Sequence, residues 1–193
     1  MQNNVRLTGL FSIIGYVILA VGVAAGSFYL LNEFYKNTGI ESYIAERINT
    51  MKNGCDKVGV MRNALKNNCI SFAVIFASGF FKGGFLLSAA EILRRGFISG
   101  FTFSAYLKVF GLKGTLPALA TMPGLILLLP AAVVFSAFSA SNALGEKEKS
   151  KEFIIFYIIF LVSVLSIFCM SALLEGYLTT ICMKWAAAAM GQH

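Results

Sequence analysis

Five apolar stretches, each bounded by charges or by glycine, set the pattern of this chain. Leu7 to Leu31 is the first, and it has spanning length because about 20 residues cross a bilayer. Its Gly22 and Gly26 form a small-xxx-small face that lets another helix approach closely. Phe28 and Tyr29 suit the far interface. The second stretch runs from Cys69 to about Leu87, broken by Lys82, Gly83 and Gly84. Either the helix stops near Lys82, or that lysine snorkels and the helix runs on. Gly96 to Phe110 is the third, Thr115 to Ala140 the fourth, and Phe153 to Leu174 the fifth.

Between the second and third stretches lies a charged group, Glu91, Arg94 and Arg95. An arginine at mid-membrane costs roughly 2.5–3.5 kcal/mol on insertion scales. The spacing therefore predicts an interfacial turn over Ser88 to Arg95 on the cytoplasmic side. Glu91 and Arg95 are four apart and face each other if that segment is helical. Gly96 and Gly100 are spaced for close helix packing. In the fourth stretch, Pro117 fits a first turn, whereas Pro123 and Pro130 remove internal hydrogen bonds and predict a broken or kinked helix. Glu175 and Tyr177 follow the fifth stretch, with Lys184 and Trp185 marking an interface beyond them.

The polar segment Asn32 to Asn68 carries six basic and four acidic residues. Ile40, Tyr43, Ile44 and Ile48 recur within it at helical spacing and predict an external amphipathic helix. Such a helix rests on lipid or on the bundle, or receives a partner. The other sizeable polar break, Gly145 to Glu152, reads as a solvated turn with three lysines and three glutamates.

Composition agrees with lipid as the main solvent. The 193 residues are 58% hydrophobic and 13% charged, with a mean hydropathy of +0.76. Soluble domains carry about 25% charged residues. The net charge of +7 is explained by Lys and Arg gathering at membrane faces, not by nucleic acid. The expectation is an all-α polytopic bundle of about five spans (7–31, 69–87, 96–110, 115–140 and 153–174), forming one membrane domain over 1–193. Arg6, Arg94, Arg95 and the lysines of 145–152 place the N-terminus in the cytoplasm and the C-terminus outside.

Candidate chemistry is sparse. His193 is the only histidine, and no HExxH, GxSxG or phosphate-loop motif appears. Cys55, Cys69, Cys169 and Cys182 match no metal or redox spacing, and whether Cys55 and Cys69 pair is open. No cofactor and no catalytic residue is expected. One functional reading is a protein that holds other proteins, with Ile40, Tyr43, Ile44 and Ile48 as the docking face; homo-oligomers are compatible with it. The other is a transporter or channel subunit in which Glu91, Pro123, Pro130 and Glu175 line a polar path.

Three runs in order, RGFISGFTFSAYL, FGLKGTLPALATMPGLILLLP and LLEGYLTT, resemble the stage II sporulation protein M family of bacterial membrane proteins. The likeness extends from about Asn67 to Thr180, although Thr180 stands where that family often has proline. The resemblance implies a non-enzymatic scaffold in the cell membrane. It would anchor the peptidoglycan-degrading sporulation proteins P and D at the septum during septal thinning and engulfment.

Overall fold

The structure, a computed structural model, describes residues 2–34, 39, 42, 46, 56–81, 83–144 and 151–190. Nearly all of those residues are helical, and five of the helices are long: α1 (Gln2–Phe34), α2 (Lys57–Ser78), α3 (Gly84–Phe110), α5 (Met122–Leu144) and α6 (Lys151–Leu174). A short α4 (Thr115–Ala120) precedes α5, and α7 (Thr180–Met190) continues α6 through a π-helical turn, Glu175–Thr179. Among the described residues, three segments are long and apolar enough to cross a membrane: Leu7–Asn32, Met122–Ala143 and Ile158–Trp185. This is consistent with a membrane protein.

Two boundaries differ from those the hydropathy pattern predicts. Lys57–Asn68 is not part of a water-facing loop but the first half of α2. Asp56 caps that helix, its carboxylate accepting from the Val58 N–H at 3.0 Å. The turn expected over Ser88 to Arg95 is also absent, because Glu91, Arg94 and Arg95 lie inside the uninterrupted helix α3. The chain turns instead at Gly79–Gly83. There the Gly84 N–H donates to the Phe81 carbonyl at 2.9 Å, and a methyl at Gly84 would overlap the Ser78 carbonyl. Glycine is what permits so tight a return. The docking candidates Ile40, Tyr43, Ile44 and Ile48 lie outside the described residues, as does Cys55; Cys69 is a free, exposed thiol.

The long helices alternate in direction. α1 and α3 run parallel, joined through Gly22 and Gly26 on one side and Gly96 and Gly100 on the other. A methyl at Gly22 would stand 2.6 Å from the Leu93 carbonyl oxygen, and one at Gly100 would overlap the Val23 carbonyl. The two glycine pairs named from spacing are thus the two halves of one crossing. Tyr29 closes it against Phe97 with ring centroids 5.7 Å apart. α5 runs antiparallel to α1, with Thr8 Oγ1 donating to Ser141 Oγ at 3.0 Å. α6 runs antiparallel to both α5 and α2.

The bundle closes around two apolar clusters. One gathers Ile75, Ile92, Leu128, Val133, Phe135 and Phe168. Phe72 extends it, lying 5.0 Å from Phe135 ring to ring. The other, at the end of α3, gathers Leu30, Tyr106, Ala118 and Met183. It is reached through Gly111, whose φ of 59° ends α3 in a conformation glycine adopts without strain.

In the fourth predicted stretch the interruption falls at Thr121, between α4 and α5. The Thr121 hydroxyl donates back to the Ala118 carbonyl at 2.7 Å. Pro123 occupies the first turn of α5, where its missing N–H leaves nothing unpaired. Pro130 sits inside α5 on its exposed face.

Bulk at the α1–α3 crossing must force the helices apart. Gly100→Val or Gly26→Leu is expected to destabilise the bundle by about 1–3 kcal/mol, measured by unfolding in mixed micelles. Gly9→Ala, inside α1 with no atom within 4 Å of the added methyl, should not destabilise the bundle and should stabilise it slightly.

Candidate functional site

The charged group of α3 meets a polar face of α2 that the hydropathy pattern alone does not single out. Ala64, Asn68, Ser71, Ile75 and Ser78 are the buried residues of α2. Their spacing of three and four puts them on one helical stripe. Small and polar side chains on that stripe let α3 approach and give its charges partners.

Glu91 is 7% exposed and accepts three hydrogen bonds. Ser71 Oγ donates to its Oε1, Arg94 Nη2 to the same oxygen at 2.6 Å, and Arg94 Nε to Oε2 at 2.8 Å. Arg95, 12% exposed, reaches across to α2 and lies 3.4 Å from Glu91 Oε1. Its Nη2 donates to Ser71 Oγ at 2.6 Å, to the Asn67 carbonyl at 3.1 Å and to Asn68 Oδ1 at 3.2 Å. Asn68 Nδ2 then donates to the Phe168 carbonyl of α6 at 3.1 Å. The network therefore ties three helices together. Every heavy polar atom of the Glu91 carboxylate is engaged, as burial of a charge requires.

The level of this cluster matters more than its composition. Gly96 packs on Leu19 and Val23, and Leu19 lies at the middle of Leu7–Asn32. Phe168, which accepts from Asn68, lies near the middle of Ile158–Trp185. The arginines are thus level with the middle of Leu7–Asn32 and close to that of Ile158–Trp185.

Glu175 is half-buried at the head of the π-helical turn, and its charge acts on Arg95. Gly124 lies beside it, where an added methyl would stand 3.3 Å from Glu175 Cβ. Ser171 Oγ donates to the Gly124 carbonyl at 2.8 Å and pins α6 to the start of α5. Gly176 gives α2 room, since a methyl there would stand 2.5 Å from Met61 Cβ. π-Turns inside α-helices often mark functional positions. Thr179 Oγ1 in this turn is buried without a hydrogen-bond partner among the described residues.

Glu91, Arg94, Arg95 and Glu175 therefore belong to one region. Gly96 and Gly100 serve the α1 crossing instead. Pro130 faces away from the cluster, and Tyr177 is exposed, with Lys57 Nζ 6.0 Å from its ring centroid. Asn67, Asn68 and Ser71 are the partners that the sequence reading missed. Among the described residues, no three His, Cys, Asp or Glu side chains gather as a metal site.

Compared with protein-family models, curated proteins and solved structures, the chain matches none.

A buried ion pair is costly to break from one side only. Arg95→Met is expected to cost about 3–5 kcal/mol by unfolding in mixed micelles. Combining it with Glu91→Met should cost clearly less than the sum of the single changes. Additive costs would show that the two charges are not coupled.

Proposed function

We propose that the protein is a non-enzymatic membrane scaffold that holds extracytoplasmic peptidoglycan hydrolases at the sporulation septum during septal thinning and engulfment. The observation that carries the scaffold reading is the saturation of Glu91. A carboxylate held by Arg94 and Ser71, with Arg95 close behind, suits a rigid bundle better than an acid that must exchange protons. The septal setting and the hydrolase partners, sporulation proteins P and D, are supported by the family resemblance of 67–180.

In this reading all five long helices span the membrane, with the N-terminus cytoplasmic and the C-terminus outside. Ile40, Tyr43, Ile44 and Ile48 then face the wall and dock the partners. The two arginines, level with the middle, add nothing to a charge rule for orientation. Of the remaining Lys and Arg, more lie at the end that carries the segment 35–55 than at the end that carries Arg6 and the lysines of 145–151. That balance runs against the orientation, for which Arg6 and the lysines of 145–151 are then the support.

The placement of the charges favours a second reading, a subunit of a small-molecule or ion transporter. Charged side chains at mid-membrane commonly mark conduction paths, and Glu175 beside a π-turn would be its movable carboxylate.

Three measurements separate these readings. Glu46→Cys in a cysteine-free background should react with an impermeant thiol reagent from the wall side; reaction only after permeabilisation removes the docking segment from the hydrolases. Polar substitution of Ile40, Tyr43, Ile44 and Ile48 should abolish co-purification with sporulation proteins P and D while membrane insertion persists. Ion or solute flux in reconstituted vesicles, lost in Glu175→Gln, would instead establish the transporter.

A further inference from the structure

Arg94 differs from the rest of the cluster in being half outside it. Its side chain is 48% exposed, although it is level with the middle of the apolar segment Leu7–Asn32. Nε and Nη2 are used by Glu91 and Ser71, while Nη1 has no hydrogen-bond partner among the described residues. A guanidinium edge turned outward at this depth would meet hydrocarbon, and hydrocarbon offers it no acceptor.

The surroundings of Arg94 say what covers it. Leu87 and Ile98 precede and follow it on the same face of α3, and both are exposed. On the adjoining face of α2, Ile70 is exposed beside Asn67. Along α3 the exposed neighbours of Arg94 are apolar, and the polar side chains exposed on α2, Asn67 among them, lie to one side of it. One turn or two further along α2, Asn63 and Lys66 are exposed and extend the basic character toward that end of the bundle. A second copy of the chain docked by two-fold symmetry would set Arg94 against Arg94, like against like.

We propose that the outer face of α2 and α3 binds a transmembrane helix of another protein through a carboxylate, Asp or Glu, placed at mid-membrane opposite Arg94. The partner helix is otherwise apolar, matching Leu87, Ile98 and Ile70. Its carboxylate accepts from Nη1, the edge of Arg94 that Glu91 and Ser71 leave open. This rests on the scaffold reading and assigns it an intramembrane docking face, separate from the segment 35–55.

The test uses the full chain in phosphatidylcholine vesicles with a labelled Leu-Ala transmembrane peptide bearing Glu, Gln or Leu at its centre. Energy transfer should report association about tenfold tighter for the Glu peptide than for the Leu peptide. Arg94→Gln should erase that preference, and Arg94→Lys should keep most of it. Folding of each variant is checked by its unfolding in mixed micelles. Equal association of the three peptides, or a preference that survives Arg94→Gln in folded protein, overturns the proposal. So does labelling of Arg94→Cys in a cysteine-free background by an impermeant thiol reagent, which would reveal an aqueous vestibule. Energy transfer between two copies of the chain that is lost in Arg94→Gln would likewise overturn it in favour of self-association. Co-purification of the unaltered chain with sporulation proteins P and D is scored separately. If it occurs without a Glu preference, only the docking face falls; if it fails, the scaffold reading falls.

Discussion

Arg95 lies 3.4 Å from Glu91 on its own helix and reaches Ser71 and Asn68 on α2, and the arrangement of the other helices follows from that contact. A guanidinium has five donors in a fixed fork and cannot shed its charge. Placed level with the centre of an apolar bundle, it must be answered by carboxylate, amide and hydroxyl groups on neighbouring helices. α2 supplies them on the stripe that also carries Ala64 and Ile75, so satisfying the charge and packing the helix are the same event. Asn68 passes the constraint to α6 through the Phe168 carbonyl. On the opposite side of α3, Gly96 and Gly100 bring α1 into backbone contact. The central helix is thereby held by polar bonds on one side and by close packing on the other.

Much of this architecture is legible in the residues. The all-helical class follows from long apolar runs, and the four glycines at 22, 26, 96 and 100 announce a close crossing by spacing alone. The position of the charged group is not legible, for a definable reason. Insertion scales assign a cost to an arginine facing lipid, and that cost assumes no partners. A pair that hydrogen-bonds a buried glutamate and an adjacent polar stripe escapes most of it. The residues Lys82, Gly83 and Gly84 mark a candidate end of the second apolar stretch but not the turn itself, which depends on Gly84 tolerating the Ser78 carbonyl. The stripe of Asn68 and Ser71 was readable in principle, but it takes on meaning only once α3 is known to continue past Arg95.

The same placement bears on function. Glu91, fully engaged, and Arg94, half engaged, are two ends of one network with different prospects. An inward carboxylate with all its acceptors filled stiffens the bundle. An outward guanidinium with a free edge asks for something beyond it. Glu175, at the head of the π-turn, acts on Arg95 from α6, where a carrier would need mobility and a scaffold would not. The distinction between holding and transporting therefore comes down to whether this network stays closed.

What remains to be measured is depth: level with the middle of Leu7–Asn32, the Glu91–Arg94–Arg95 cluster would lie deep in the membrane and not at its surface. Leu93 borders the cluster and is exposed on α3. With Trp185 replaced by Phe, a Leu93→Trp variant can be reconstituted with lipids carrying quenchers at different depths. Strongest quenching by labels deep in the acyl chains is the expected result. Strongest quenching by headgroup labels would contradict the account and return the arginines to the interface.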